Sequence, residues 1–593
     1  MRWCCSPRLT ALSVAELTYV PDAPPASTGA PARTFLVPAV GFRQEAVIRL
    51  LSLAWLAFGV QFWIWWLQPD RGPWTVGRIV ATVGLAWPFL FGGYFLFFAC
   101  RMTRPNPALP VPAVRVAMVV TKAPSEPWPL VRRTLTAMLE QAYPHSYDVW
   151  LADEKPSRAT SRWCAARGVR ISSRWGVPSY QQAAWPRRAR CKEGNLAWFY
   201  DNHGYADYDV VAQLDADHVP AVDYLANVVR PFADPAVGYV AAPSVCDANA
   251  SVSWTVRGRL YKEAVLHGAV QAGANGGFAP VCIGSHYAVR TAALASVGGL
   301  GPDLAEDYST TLWLLAGRWE GVFALDAHAS GEGPESLRDM LTQEIQWARS
   351  LGTILTRWAP GRMRALSWRA RPRMAFTLLF YPLQGLFCVL GTALPIYGVV
   401  SHSTWGNASL AGFYAHLWAP SMLLTLVVVY ARRCKVLRPA QVPLFSWELM
   451  LFGLVRWPFV AWSFAAGMWA GLGHDESGFR VTPKGASGRQ PFTTWMVAPT
   501  AVLSLAPALV VVSVSHPGSV LGLYLVAATQ AVTYALSLIA LVLLQVRANA
   551  RIAGVTGVTG TVDAFGRVEL LCLAGSVAVL LAVVGSVSSA FTG

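Results

Sequence analysis

The chain has 593 residues, of which 54% are hydrophobic and only 14% charged. Soluble domains carry about 25% charged residues, so the composition argues against a purely soluble protein. The 48 Lys and Arg outnumber the 33 Asp and Glu and give a net charge of +15. In an apolar chain this excess is typical of positive residues kept on the cytoplasmic side of a membrane, and no nucleic-acid-binding motif accompanies it. The ten cysteines contain no CxxC pair, which predicts reduced thiols rather than a disulfide scaffold.

The N-terminal part of the chain changes character near residue 46. Residues 1–45 are rich in Pro, Ala and Ser and lack the order of a signal peptide, which predicts a disordered cytoplasmic tail. Two apolar runs follow at 46–67 and 76–100, each close to the roughly 20 residues that cross a bilayer. The short, turn-like link QPDRGPW between them predicts a hairpin of two transmembrane helices over 46–100.

Residues 101–345 have a different pattern, with charges, prolines and short β-rich runs such as VRVAMVV, YDVWLAD and DVVAQLDAD. Helix-like stretches separate these runs, and strands that alternate with helices predict an α/β domain with a mostly parallel sheet. No run inside the segment is long enough to span a membrane. The expected fold class is therefore a cytoplasmic α/β domain inserted in an all-α membrane domain.

Beyond this domain a basic segment at 346–373 predicts amphipathic helices at the membrane interface, and the apolar runs then return. We expect two transmembrane helices within 374–431 (about 375–401 and 408–431), an interfacial helix at 445–472 within 432–492, and three transmembrane helices within 493–593 (about 493–515, 518–546 and 568–590). The helix at 445–472 contains Glu448 and Arg456. Because charges are costly at mid-membrane, an interfacial position is favoured there over a full span.

The loops between the apolar runs predict how the chain is oriented. Basic residues flank the runs near 101–104, 432–438 and 547–551, whereas the loops near 402–407 and 515–519 contain no Lys or Arg. The positive-inside rule therefore puts the α/β domain on the cytoplasmic side of the cell membrane, the inner or plasma membrane. With the seven spans expected above, the C-terminus lies outside.

The most informative run is DVVAQLDADH at 209–218. An apolar strand ends there in Asp215 and Asp217, and ligands of parallel α/β sheets bind just beyond the carboxyl ends of the strands. Alternate residues of an extended segment point the same way, so both carboxylates can face one site and hold a hard cation that bridges a diphosphate. A solvated acidic turn is the alternative interpretation of so short a motif.

Further residues that carry chemistry follow one another along the chain. The strand YDVWLAD ends at Asp153, and Lys192 lies near a glycine in CKEGN, a setting that allows close approach to a phosphate. Glu306 and Asp307 follow the loop VGGLGPDL, where a carboxylate is suited to deprotonate an acceptor hydroxyl. The run QEIQW ends in Trp347, whose face suits a sugar ring. A tryptophan standing alone is also typical of a membrane-interface anchor.

Taken in order, these residues resemble the processive inverting family 2 glycosyltransferases of the GT-A fold, such as cellulose synthase and its relatives. That family shows the pattern D, DxD, (T)ED and QxxRW in a domain flanked by membrane spans. FRVTPK at 479–484 resembles the FxVTxK gating loop of bacterial cellulose synthase catalytic subunits and stands where that family has it. CIGS at 282–285 is similar to the FFCGS segment beside the acceptor. The resemblance covers roughly residues 46–546.

The resemblance implies a membrane-embedded enzyme that uses UDP-glucose and Mg²⁺ or Mn²⁺ to elongate a β-1,4-linked glucan and exports it through its own channel. The implied partners are the UDP-sugar donor, the growing polysaccharide, the lipid bilayer and envelope accessory subunits, without nucleic acid. The implied roles are Asp307 as general base; Asp153, Lys192 and Asp215 at the nucleotide sugar; Asp215 and Asp217 at the metal; Glu306, Gln343, Trp347, Cys282, Gly284 and Ser285 at the acceptor; and Phe479, Val481, Thr482 and Lys484 in the gating loop.

The chain departs from that pattern at several places. The arginine of QxxRW is Gln346, the TYNE-like turn after the first strand reads TKAPSE at 121–126, and no cyclic-di-GMP-binding PilZ module is expected after the last span. Two alternatives therefore stay open beside the glucan synthase. One is a synthase of mannan, chitin or mixed-linkage glucan, and the other is a catalytically weak paralogue that acts as a binding or assembly partner.

Overall fold

The computed structural model of the protein describes residues 35–183, 185, 187–189, 191–404, 406–407, 409–473, 492–552 and 566–592. The predicted gating loop, with Phe479, Val481, Thr482 and Lys484, lies outside the described residues, as do residues 1–34.

Within that part of the chain the strands are β1 (Leu36–Pro38), β2 (Thr103–Pro105), β3 (Val116–Lys122), β4 (Tyr147–Asp153), β5 (Arg170–Ser172), β6 (Val210–Asp215), β7 (Val219–Pro220), β8 (Val237–Ala241), β9 (Ser244–Val245), β10 (His286–Arg290), β11 (Glu320–Phe323) and β12 (Ala329–Ser330). The α-helices are α1 (Phe42–Leu67), α2 (Val76–Ala99), α3 (Trp128–Leu139), α4 (Arg158–Ala165), α5 (Lys192–Phe199), α6 (Tyr205–Asp207), α7 (Tyr224–Val229), α8 (Trp254–Glu263), α9 (Gln271–Gly273), α10 (Thr291–Ser296), α11 (Glu306–Ala316), α12 (Leu337–Thr353), α13 (Ala359–Arg362), α14 (Ala370–Val400), α15 (Leu410–Arg433), α16 (Trp447–Gly473), α17 (Thr494–Ser513), α18 (Leu521–Ile552) and α19 (Arg567–Thr592).

A seven-stranded mixed sheet forms the centre of the α/β domain, in the order β11-β8-β10-β6-β3-β4-β5. β3 pairs in parallel with β4 and β6, whereas β10 runs antiparallel to β6 and β8. Successive residues of β3 enter two different cores, Val119 one and Val120 the other. Because both faces of the sheet are covered, the strand reads in sequence as a near-continuous apolar run. The predicted α/β fold is confirmed, with β10 as an antiparallel member of the sheet.

The carboxyl ends of three neighbouring strands bring predicted site residues to one edge of the sheet. Lys122 ends β3 and is in register with Asp153, which ends β4. Thr121 is in register with Asp215, which ends β6. Because these three strands are parallel, their ends open on the same side, where ligands of α/β sheets bind.

The N-terminal boundary predicted at residue 45 is wrong by several residues. β1 pairs with β2, with Leu36 opposite Pro105. Phe35 and Leu36 also pack against the core on one face of the central sheet. Burial of these apolar side chains stabilises the local backbone, so the ordered chain reaches back at least to residue 35.

Eight helices among the described residues are long and apolar enough to cross a membrane, which indicates a multi-pass membrane protein. Seven of them fall at the predicted spans and differ from the predicted limits by a few residues; they are α1, α2, α14, α15, α17, α18 and α19. The eighth is α16, which was predicted to lie at the interface and which meets the same criteria of length and hydropathy.

α16 contacts the α/β domain near its start and the segment after α12 near its end. Near its start, Glu448 accepts a hydrogen bond from Arg257 of α8 at 2.9 Å. Near its end, Gly471 packs so closely against Thr356, just after α12, that an added Cβ would lie 2.2 Å from the threonine Oγ1. Contacts of this kind along the helix are expected if it lies flat beneath the domain, and its interfacial position stays a prediction.

α12 crosses the predicted boundary between the α/β domain and the basic interfacial segment at residues 345 and 346. Ser336 caps the helix, because its Oγ accepts the backbone N–H of Asp339 at 3.1 Å. One continuous helix therefore carries Gln343 and Trp347, which share a face because they are four residues apart. The domain boundary predicted at residue 345 falls inside this helix. It belongs instead at the start of α12, where Ser336 caps the helix.

Candidate active site

A cavity of about 550 Å³ begins at the carboxyl edge of the sheet and reaches side chains of membrane helices α2 and α14. Asp215, Asp217, Lys192 and Asp307 line its polar part. Its far part is lined by aromatic side chains, which are Phe91 and Tyr94 of α2 and Phe376, Phe380 and Tyr381 of α14. The cavity thus joins the predicted chemistry to the membrane helices without an intervening wall.

A cluster of metal-ligating side chains lies at the end of β6. Ligand atoms of Asp215, Asp217 and His218 all lie within 4.8 Å of one another. His218 Nδ1 is 3.3 Å from Asp217 Oδ1, and its Nε2 is 3.3 Å from Ser244 Oγ. Two carboxylates and an imidazole at a cavity wall fit a divalent cation such as Mg²⁺ or Mn²⁺. The sequence-based prediction named the two aspartates but not His218, although it follows Asp217 directly in DADH.

Lys192 links the acidic strand end to the second pair of carboxylates. It begins α5, and its Nζ lies 2.9 Å from Asp215 Oδ1 and 3.4 Å from Glu306 Oε1. The same ammonium donates to the carbonyl of Gly284. Burial by itself lowers the pKa of Lys192, but the charges of Asp215 and Glu306 outweigh that effect and raise it. Lys192 therefore stays charged and links Asp215, at the end of β6, to Glu306, at the start of α11.

Glu306 and Asp307 form the first turn of α11 and point into the cavity. Asp307 Oδ2 accepts the backbone N–H of Gly284 at 2.7 Å, and Oδ1 accepts the N–H of Tyr308 at 2.9 Å. Glu306 Oε2 accepts the hydroxyl of Tyr287 at 2.9 Å. Burial raises the pKa of both carboxyl groups above the usual range. A carboxylate with a raised pKa is a stronger base than an exposed aspartate, which suits proton abstraction near neutral pH.

The segment 282–285 connects the metal cluster to the carboxylate pair. The backbone N–H of Cys282 donates to Thr311 Oγ1 at 2.9 Å, and the Ser285 carbonyl accepts the N–H of Asp215 at 2.8 Å. A Cβ at Gly284 would lie 3.2 Å from Asp307 Oδ2, so glycine permits the close backbone contact with that carboxylate. The buried Ser285 hydroxyl has no hydrogen-bond partner among the described residues and lines the cavity.

Asp153 ends β4, as predicted, but its side chain is only 2% exposed and does not line the cavity. Lys122 does line it, and its Nζ lies 3.2 Å from Asp153 Oδ2. A nucleoside at this edge would therefore meet Lys122 beside Asp153. The sequence placed Lys122 at the strand end without giving it a role, because only the register of β3 against β4 pairs the two residues.

Gln343 and Trp347 of α12 lie on the cavity wall near α8. Gln343 Oε1 accepts a hydrogen bond from Arg259 Nη1 at 3.1 Å. The Arg259 guanidinium also lies 4.7 Å from the centre of the Trp347 ring. The structure thus brings both predicted residues to the site, together with an arginine from another helix that the sequence did not indicate. Their roles toward an acceptor stay predictions.

Comparison with known proteins gives a family for the central part of the chain. Residues 210–469 match the family model described as Glycosyl transferase family group 2. The chain is 26% identical over 249 residues to the cellulose synthase catalytic subunit (UDP-forming) of Pseudomonas fluorescens (strain SBW25), which covers 38% of this chain and 34% of that protein. It is 25% identical over 252 residues to an N-acetylglucosaminyltransferase of Rhizobium meliloti (strain 1021), which covers 41% and 56%. The chain thus spans only about a third to just over half of the length of these curated relatives.

Solved structures that the chain matches include the mannosyltransferase PcManGT from Pyrobaculum calidifontis in complex with GDP-Man and Mn²⁺. It is 17% identical with a TM-score of 0.40, over 73% of this chain and 100% of that one. Glucosyl-3-phosphoglycerate synthase from Mycobacterium tuberculosis, solved with Mn²⁺ and UDP, is 14% identical with a TM-score of 0.26, over 41% and 79%. From the family match and the mixed sheet with its acidic strand end, we conclude that this chain carries a family 2 glycosyltransferase domain of the GT-A fold, flanked by apolar helices.

Proposed function

We propose that the protein is an inverting, processive glycosyltransferase that elongates a β-1,4-linked glucan from UDP-glucose and exports it between its own membrane helices. The observation that carries this proposal is the single cavity that holds the metal cluster and Asp307 and also reaches aromatic side chains of α2 and α14. A glycosyltransferase that acts on a soluble acceptor does not require a cavity that extends to its membrane helices.

Each group in the polar part of the cavity has a task in this reaction. Asp215, Asp217 and His218 would hold a divalent cation, which neutralises charge on the departing diphosphate. Asp307 would remove the proton from the acceptor hydroxyl as that oxygen attacks the anomeric carbon. Glu306 would orient the acceptor, and Lys192 would lie near the donor sugar. A single displacement with one base inverts the anomeric centre, so an α-linked donor gives a β-linked product.

The aromatic part of the cavity suits a growing sugar chain. Pyranose rings present C–H faces that pack against aromatic rings and hydroxyls that need hydrogen-bond partners. Tyr94 and Phe376 lie stacked with their ring centres 3.6 Å apart, and Arg373 and Thr377 add polar groups beside them. A chain leaving Trp347 would meet this surface next, which favours repeated addition over release after one transfer.

Purified protein in nanodiscs, given Mn²⁺ and labelled UDP-glucose, tests the proposal. We expect release of UDP, loss of that release on chelation of the metal, and a polymer that β-1,4-glucanase degrades. Asp307→Asn should slow turnover by about 10²- to 10⁴-fold, the usual contribution of a general base. Asp209→Asn is the matched control, because Asp209 lies at the opposite end of β6 and pairs with Arg115. Well-folded protein that releases no UDP from any UDP-sugar would rule out a UDP-sugar-dependent synthase.

A second candidate is transfer of N-acetylglucosamine. The relatives matched by this chain include N-acetylglucosaminyltransferases of Rhizobium meliloti and Bradyrhizobium diazoefficiens, at 25% and 28% identity. A screen of UDP-glucose, UDP-N-acetylglucosamine and GDP-mannose as donors distinguishes this candidate from the glucan synthase. Digestion of the product by chitinase rather than β-1,4-glucanase would then identify it.

A further inference from the structure

Arg259 is a charged residue of the cavity to which the reaction above assigns no task. It lies near the end of α8 and lines the cavity, with 12% of its side chain exposed. Its Nη1 donates to Gln343 Oε1 at 3.1 Å, and its Nε lies 3.4 Å from Glu263 Oε1. Among the described residues, no hydrogen bond from its Nη2 is recorded. The guanidinium is thus held by Gln343 and Glu263 while the residue lines the cavity.

The charges around Arg259 do not cancel. Glu344 of α12 pairs with Lys262 at 2.9 Å and with Arg456 of α16, while Glu263 pairs with Arg259. These five groups comprise three cations and two carboxylates, so the cluster carries one net positive charge. Burial favours a neutral Glu344, but Arg456 and Lys262 outweigh it and lower the pKa to about 2. Arg259 keeps its charge as well, because a guanidinium stays protonated in proteins. The excess therefore persists at any working pH.

The opposite side of the cavity carries an excess of negative charge. Asp215, Asp217, Glu306 and Asp307 provide four carboxylates, and Lys192 is already committed to two of them. A divalent cation would balance much of this charge, but an incoming nucleotide sugar brings a further negatively charged diphosphate. Buried anions without a cation partner are costly, so the diphosphate needs a positive group from elsewhere in the cavity.

Arg259 and the three residues of the metal cluster line the same cavity of about 550 Å³. A diphosphate bound at that cluster would therefore share the cavity with the guanidinium, whose planar set of donors suits two phosphate oxygens at once.

We propose that Arg259 is a donor-binding residue that grips the diphosphate of the nucleotide sugar opposite the metal cluster. Gln346, on α12, lines the same cavity and supplies no charge, so α8 rather than α12 provides the guanidinium. This inference rests on the proposed function, since it names a further residue of the same site. Through its contact with Trp347, the same side chain also couples donor binding to the acceptor platform.

Calorimetry of UDP binding in the presence of Mn²⁺ tests the proposal without turnover. Arg259→Met should weaken UDP binding about 10- to 100-fold, as expected for loss of a charge-assisted hydrogen bond, while leaving the binding of uridine unchanged. Arg259→Met combined with Gln346→Arg should recover part of the lost affinity, because it returns a guanidinium to the cavity from α12. Arg257→Met is the control, since Arg257 is on the same helix but binds Glu448 and the Ala250 carbonyl.

Wild-type affinity for UDP in Arg259→Met would overturn the proposal, as would an equal loss of UDP and uridine binding. If that variant does not fold, Arg259→Gln removes the charge while keeping a donor for Gln343, and the same two outcomes decide. Failure of the proposed function is a separate result. A wild-type protein that binds UDP and Mn²⁺ through Arg259 but transfers no sugar would refute the synthase and leave the Arg259 assignment intact.

Discussion

Lys192 shows how much one residue contributes to the geometry of the site. The residues that it joins are 23 positions away at Asp215, 92 at Gly284 and 114 at Glu306. Its order in the chain relative to DxD and ED was predictable, because the resemblance rests on that order. The ion pairs themselves were not predictable, because each depends on how α5 and α11 pack at the edge of the sheet. The sequence also shows His218 directly after Asp217. It does not indicate whether the imidazole ring faces the metal site or the hydrophobic core of the domain.

The raised pKa of Asp307 predicts a specific pH dependence of turnover. As the proposed base, Asp307 would act only as a carboxylate, and burial makes it protonate at a higher pH than an ordinary aspartate with a pKa of about 3.9. The rate of UDP release should therefore fall as the pH decreases through this raised value and level off above it. UDP binding measured over the same range separates loss of the base from loss of the donor. A rate that stays constant down to about pH 4 would contradict the assignment.

At the scale of elements, α16 packs against both α12, which carries Gln343 and Trp347, and α8, which carries Arg259. A Cβ added at Gly467 of α16 would lie 2.0 Å from the Arg349 carbonyl of α12, and one added at Gly352 of α12 would lie 2.4 Å from the Phe464 carbonyl. α8 also approaches α16 closely, since a Cβ at Gly258 would lie 2.9 Å from the Glu448 carbonyl. Glycines at these contacts let the helix backbones touch, as is usual for helices packed in or on membranes.

We therefore expect Gly467→Ala to disturb the site although it touches no substrate. The new methyl group would force α12 and α16 apart and cost about 1–3 kcal/mol of stability, as overpacking does. The melting temperature and the rate of UDP release should both fall, because Trp347 and Arg259 lose their relative positions. Gly453→Ala on the same helix is the matched control, since its Cβ would meet open space. Equal melting temperatures for the two variants would show that the close contact is unimportant.

At the scale of the whole molecule, the position of α16 decides the topology. If it lies at the interface, as its contacts with α8 and α12 along its length favour, seven helices cross the membrane and the C-terminus is outside. If it spans the bilayer, the number of crossings becomes even and the C-terminus returns to the side of the catalytic domain.

C-terminal fusions test this topology directly. We expect an alkaline phosphatase fused after residue 593 to be active and a green fluorescent protein at the same place to be dark, because the interfacial helix leaves an odd number of spans. A fusion at residue 436, after α15, should give the opposite pattern, since that loop carries several basic residues. A fluorescent fusion at both places would mean that α16 crosses the membrane.

The sequence by itself determined the order of the parts: apolar runs on both sides of an α/β domain, carboxylates at the ends of strands, and a tryptophan on the helix that follows. These features are local, because strand ends, helix periodicity and hydropathy are written in neighbouring residues. Only the tertiary structure decided which side chains meet. Lys122 reaches Asp153 through strand register, His218 joins the two aspartates, and Arg259 lies over Trp347 although 88 positions separate them in the chain. Such contacts follow from the packing of elements around a shared cavity, and no local pattern records that packing.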